Sequence, residues 1–168
     1  RLRATPMPPV AYFLGKVVMV LVIGVAETAL LLAVAIAFYG VDLPPTAAKW
    51  LTFGWVSLLG ITACTLCGIA FSSVARTGRS APAVVTPVAL VLQFISGVFF
   101  PIDDAPQWLQ SLADLFPVRH FLVATIESFV PPPDNPDGWL FGDLAIVAAW
   151  GAAGLLLGAR YFTWEPRT

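Results

Sequence analysis

Charge is what this 168-residue sequence has least of: Asp, Glu, Lys and Arg make up 11% of it, against about 25% in an ordinary soluble domain. That shortage excludes a water-soluble globular domain. With 58% hydrophobic side chains it excludes disorder as well, because a disordered chain needs low hydrophobicity and high charge. A basic excess is also missing. Nine Lys and Arg stand against ten Asp and Glu, so the chain has no surplus to neutralise phosphates, and nucleic acid is not an expected partner. Histidine occurs once, as His120. Cysteine occurs twice, as Cys64 and Cys67, too few for a disulfide framework. Three apart in an apolar run, the two cysteines share a helix face and read as small lipid-phase residues rather than a metal or redox pair. The phosphate-cradling GxxxxGK[ST] loop is absent, and so are HExxH and GxSxG. No catalytic set, metal or cofactor is therefore expected in this chain.

Long apolar runs are what the sequence has in place of charge, and its mean hydropathy is +0.84. A bilayer core about 30 Å thick needs about 20 apolar residues as helix. Four stretches meet that length: about 17–39, 50–75, 80–102 and 138–159. The runs are too long for β-barrel strands and do not alternate in polarity. The reading is an all-α integral membrane protein, one transmembrane domain over 1–168 with about four spans. The chain starts at Arg1 rather than Met, which reads as a fragment or a processed chain. Pro6, Pro8 and Pro9, and the length of the apolar run that follows, argue against a signal peptide.

Between the third and fourth spans, about 104–129, lies a stretch that is neither span nor ordinary loop. Asp103 or Asp104 can cap a helix with Pro106 at its start. Trp108, Leu109, Leu112, Leu115 and Phe116 then recur at helical spacing. Pro117 stops this piece and starts a second one, which ends near Phe129 before three consecutive prolines. Each piece is too short to cross a bilayer, so the two read as a re-entrant or interfacial helix pair.

Positive charges near span ends give orientation. Arg1, Arg3, Lys16, Arg76, Arg79, Arg160 and Arg167 fall on one side, and only Lys49 and Arg119 on the other. The chain ends and the 76–80 loop are thus expected in the cytoplasm, and 103–137 outside. The outer side is acidic, with Asp42, Asp103, Asp104, Asp114, Glu127, Asp134 and Asp137.

Glu27 falls near the middle of the first span, where an ionised acid is expensive. It reads either as a polar contact on a substrate path or between helices, or as a protonated acid bonded to Thr28 or a neighbouring helix. His120 and Glu127 are seven apart and share a helix face beside Arg119; with Asp103 and Asp104 they could form an outer charge network that positions the helix pair. Arg76 and Arg79 read as contacts to a cytoplasmic partner or as attraction to anionic membrane lipid. Gly54, Ser57, Gly60, Ala63, Cys64, Cys67 and Gly68 line the second span with small residues, which favours close helix packing and possible dimerisation.

Residues 93–121, QFISGVFFPIDDAPQWLQSLADLFPVRHF, resemble the permeases of type-2 ABC exporters. The resemblance rests on a small and aromatic span end (Gly97, Phe99, Phe100), then Pro101, Ile102, Pro106, Trp108, Leu109 and Gln110. After these come a short helix ending in Phe116-Pro117, and Arg119, His120 and Phe121. The 1–7 segment is similar to the inner segment before that family's third span, and 161–167 to the tails of drug-resistance permeases in it. The resemblance implies six spans per subunit, of which this chain would hold the last four. It also implies two copies of a separate ATPase subunit that binds ATP and Mg, and a second permease subunit, identical or related. Arg1, Arg3, Arg76 and Arg79 would then meet cytoplasmic partners, and Phe94, Phe99 and Phe100 would suit a path for lipophilic drug, antibiotic or lipid-like cargo in a cytoplasmic membrane. Two rival readings stand beside it: an intramembrane enzyme using Glu27 or His120, and a non-catalytic membrane scaffold.

Overall fold

The computed structural model describes residues 9–41, 43–44, 46–72, 80–102, 105–130, 132–136 and 138–161. These form six helices: α1 (Pro9–Tyr39), α2 (Ala47–Ser72), α3 (Ala81–Ile95), α4 (Gln107–Asp114), α5 (Pro117–Phe129) and α6 (Phe141–Tyr161). No strand occurs among the described residues. Three of the helices, α1, α2 and α6, are long and apolar enough to cross a membrane, and α3 is a shorter apolar helix.

Local sequence explains the ends. Pro82 sits in the first turn of α3, where its missing N–H costs nothing. The expected span over 80–102 is helical only as far as Ile95. At 1.5 Å per residue its 15 residues cover roughly 22 Å, less than the hydrocarbon core. The helix stops because Ser96 caps it, donating its N–H to Leu92 O, and Gly97 then turns at φ +91°, a conformation open to glycine. Hydropathy alone counts the apolar residues 98–102 as span, but the backbone has already left the helix. The helix pair follows as α4 and α5. Pro106, not Asp103 or Asp104, occupies the N-cap position of α4, and the two aspartates lie outside the described residues. Pro117 is at the first position of α5, as its fixed φ favours.

α2 is the hub and packs against α1, α3, α5 and α6. Its buried positions are Thr52, Val56, Gly60, Ala63 and Cys67, a stripe with steps of three and four. On α6 the matching stripe is Leu144, Val147, Gly151, Gly154 and Gly158. Lipid tails are as apolar as the side chains, so helices here gain by fitting closely rather than by escaping water. The fit is close. A Cβ on Gly154 would lie 2.8 Å from the α2 backbone at Leu66 and Cys67, and one on Gly151 would lie 3.0 Å from the Ala63 Cβ. Cys67 Sγ donates to Trp150 O at 3.3 Å across the same seam. Gly60 leaves room for the Phe121 ring, which brings α5 onto α2. Val56, Ala124 and Leu144 form a core where α2, α5 and α6 meet, walled by Leu59, Phe121, Trp139 and Leu140.

α1 is the most exposed of the long helices. Phe13, Val17, Leu21, Gly24 and Thr28 mark its less exposed face, and Gly24 meets Ile61 of α2. Its remaining surface is open and mostly apolar, with Lys16 and Glu27 exposed on it.

Candidate functional site

A cluster of polar side chains forms where α4, α5 and α6 meet. Pro117 ends the turn after α4 and starts α5, which places His120 on the buried side of α5 with Ala124 and Ser128. His120 Nε2 lies 2.7 Å from the backbone oxygen of Asp114, at the end of α4. A carbonyl only accepts, so Nε2 carries the hydrogen and donates it. His120 Nδ1 lies 2.6 Å from Asp143 Oδ1, in the first turn of α6. The imidazole thereby ties α6 to the α4–α5 turn. Arg119 Nε donates to Asp114 Oδ1 at 2.8 Å, more exposed than the histidine. Trp150 Nε1, two turns further along α6, donates to Leu115 O at 2.9 Å. Its ring packs on Phe116 with centroids 5.7 Å apart. Three side chains thus fix the α4–α5 turn: His120, Arg119 and Trp150.

This turn forms one wall of an apolar cavity of about 460 Å³. Cys64, Cys67, Gly68 and Phe71 of α2 make a second wall, and Val85, Val88, Ala89, Leu92 and Gln93 of α3 a third. Phe116, Pro117, Val118, Phe121, Leu122 and Thr125 close it from the α4–α5 side, with Trp150 from α6. None of the described residues lining it is charged. α3 packs on α2 and α4, and the cavity lies between it, α2 and α5. A second apolar space of about 650 Å³ lies between α1 and α2.

Only some of the expected site residues come together. Arg119 and His120 do, through Asp114 and Asp143. Glu127 does not join them. It lies two turns along α5, where its Oε2 is enclosed without a hydrogen-bond partner among the described residues. Pro101 is exposed, Pro106 caps α4, and Trp108 is 68% exposed on α4. Phe94, Phe99 and Phe100 all point outward, and none of them lines the cavity. The Phe94 and Phe99 rings pack on one another at 4.9 Å. Glu27 is exposed on α1, and its neighbour Thr28, not Glu27, lines the α1–α2 space. Arg1, Arg3, Arg76, Arg79, Asp103 and Asp104 lie outside the described residues.

Sequence reasoning missed Asp143, Asp114 and Trp150 as partners. Asp143 carried a signal, being the only charge at the head of an apolar span downstream of the only histidine. The Trp150 contact carried none, since a tryptophan in a span is ordinary. No group of three or more His, Cys, Asp or Glu residues that could hold a metal occurs among the described residues.

The comparisons with known proteins agree with this architecture. Two curated relatives are each a "Probable multidrug ABC transporter permease YbhR", one from Escherichia coli K12 and one from Escherichia coli O157:H7. Each is 26% identical over 158 residues, covering 91% of this chain and 41% of the relative. The chain thus spans about two fifths of the length of the curated relatives it matches. No solved structure matches significantly. The profile of the ABC-2 type transporter family matches residues 1–130, and with most of its length inside that match this multi-pass membrane chain belongs to the ABC-2 type transporter family.

Proposed function

We propose that this chain is part of the permease subunit of an ATP-driven exporter that moves a lipophilic drug, antibiotic or lipid-like molecule across the cytoplasmic membrane. The observation that carries the reading is the family match over residues 1–130, and the multidrug relatives point to the cargo class. ATP and Mg are bound by a separate ATPase subunit, two copies of which join a pair of permease subunits, identical or related. Nucleotide binding shifts the ATPase pair between states, and the cytoplasmic segments of the permease pass that shift to the spans. In this reading the chain ends and the 76–80 loop face the cytoplasm and 103–137 face outward, in line with the arginine distribution. The α4–α5 pair, held by His120, Arg119 and Trp150, is then the outer element that moves with α6.

The enzyme alternative finds no support in the geometry. Glu27 is exposed on α1, and both nitrogens of His120 are engaged. The test is transport by the full-length protein with its ATPase in inverted membrane vesicles. ATP-dependent accumulation of a lipophilic dye, lost without ATP, supports the reading; accumulation indifferent to ATP and to the permease overturns it.

A further inference from the structure

We propose that the cavity between α2, α3 and the α4–α5 turn is a binding site for one hydrocarbon chain of a bilayer lipid. The inference does not rest on the transport reading. It rests on the size, lining and position of the cavity.

At about 460 Å³ the cavity is within the size range of small-molecule sites, about 300–1,000 Å³. Left empty, a space of that size deprives its walls of dispersion contacts. Water is a poor filler, because a buried water needs two to four polar partners. Few polar groups line these walls, and besides the weakly polar Cys64 thiol most of them are already engaged. Thr125 Oγ1 donates to Phe121 O at 2.7 Å, Cys67 Sγ to Trp150 O and Trp150 Nε1 to Leu115 O. The amide of Gln93 belongs to an exposed residue of α3. A cationic drug would bring a charge to walls that offer none in return. A hydrocarbon chain asks for no polar partner.

The shape fits as well. The cavity follows α2 from Cys64 to Phe71 and α3 from Val85 to Gln93. Eight residues of helix are roughly 12 Å, so the space runs lengthwise between the helices, as a lipid chain does. Lipid is also the medium around the apolar outer faces of these helices. A chain in this position touches Phe116, Pro117 and Trp150, and so props the turn that His120 and Asp143 hold in place.

Gly68 supplies the test. It lines the cavity, and a Cβ built on it meets nothing within 4 Å, so a larger side chain enters open space. The full-length protein is placed in bilayers containing a phospholipid with a photoreactive diazirine near the end of one acyl chain. It is irradiated, and the adducts are located by mass spectrometry. Adducts are expected on Cys67, Leu92 and Phe121. In Gly68→Leu they should fall about tenfold, the equivalent of keeping two methylenes out of the site. Adducts on Leu156, on the outer face of α6, should be unchanged. Ala89→Leu fills the same space from the opposite wall and gives the same result if Gly68→Leu does not fold. Adducts confined to outer positions such as Leu156, or cavity adducts unaltered by both substitutions, would overturn the proposal. So would equal cavity labelling by a photoreactive cationic amphiphile.

Discussion

Trp150 and Leu115 are 35 residues apart in sequence and joined by a 2.9 Å hydrogen bond from the indole to the backbone carbonyl. The bond fastens the middle of the last long helix to the turn of the short pair. Trp150→Phe keeps most of the ring contact with Phe116 and removes only the donor. Losing this exposed hydrogen bond should cost about 0.5–1.5 kcal/mol. Thermal unfolding of the full-length protein in detergent should show a lower Tm for Trp150→Phe, and a larger drop for Trp150→Ala, which also gives up the ring packing.

His120 has hydrogen-bond partners on two elements, so its loss is felt on both. His120→Ala leaves the Asp143 carboxyl group and the Asp114 carbonyl without their partner, at a cost of about 1–3 kcal/mol. Asp143→Asn keeps a polar partner for the imidazole and should cost less. Limited proteolysis of the α4–α5 region checks this: cleavage should speed up in the order wild type, Asp143→Asn, His120→Ala. Equal rates in all three would show that the pair does not hold the turn.

The seam between α2 and α6 leaves no room for a side chain at Gly154. Gly154→Val has to push the α2 backbone at Leu66 and Cys67 away, and overpacking of this kind costs about 1–3 kcal/mol. Gly142→Val, with nothing within 4 Å of its Cβ, is the matched control. Size-exclusion profiles in detergent should show aggregation or early elution for Gly154→Val and a normal peak for Gly142→Val.

Glu27 is outside both the polar cluster and the lining of the two apolar spaces. Glu27→Gln should therefore leave ATP-dependent dye accumulation within about twofold of wild type, the scale of an ordinary surface substitution of about 0.5 kcal/mol. Abolition of transport at normal expression would put Glu27 on the working path.

Much of this was legible in the sequence, for identifiable reasons. The long helices declare themselves because lipid demands uninterrupted apolar length, and the short pair because Pro106 and Pro117 punctuate it. The shortened third helix was hidden, because hydropathy weighs side chains while Gly97 acts through its backbone. The partner of His120 was harder to see. Periodicity pairs residues along one helix, so it put His120 with Glu127, whereas the tertiary contact goes to Asp143 on another helix. The outward-facing phenylalanines show the same limit. An aromatic run marks apolar surface but not which side of the helix meets a cavity. The small residues of the second span were visible; that they match Gly151 and Gly154 on the last helix required the fold.

That a separate ATPase drives the full-length permease is a proposal, and one measurement reaches it directly. The full-length tagged permease is purified from its native membrane in mild detergent with ATP present, and the eluate is assayed for subunit composition and ATP hydrolysis. The account predicts a nucleotide-binding subunit in near-equal amount and an ATPase activity that elutes with it. Folded permease that comes off pure, with no nucleotide-binding partner and no hydrolysis, would contradict it.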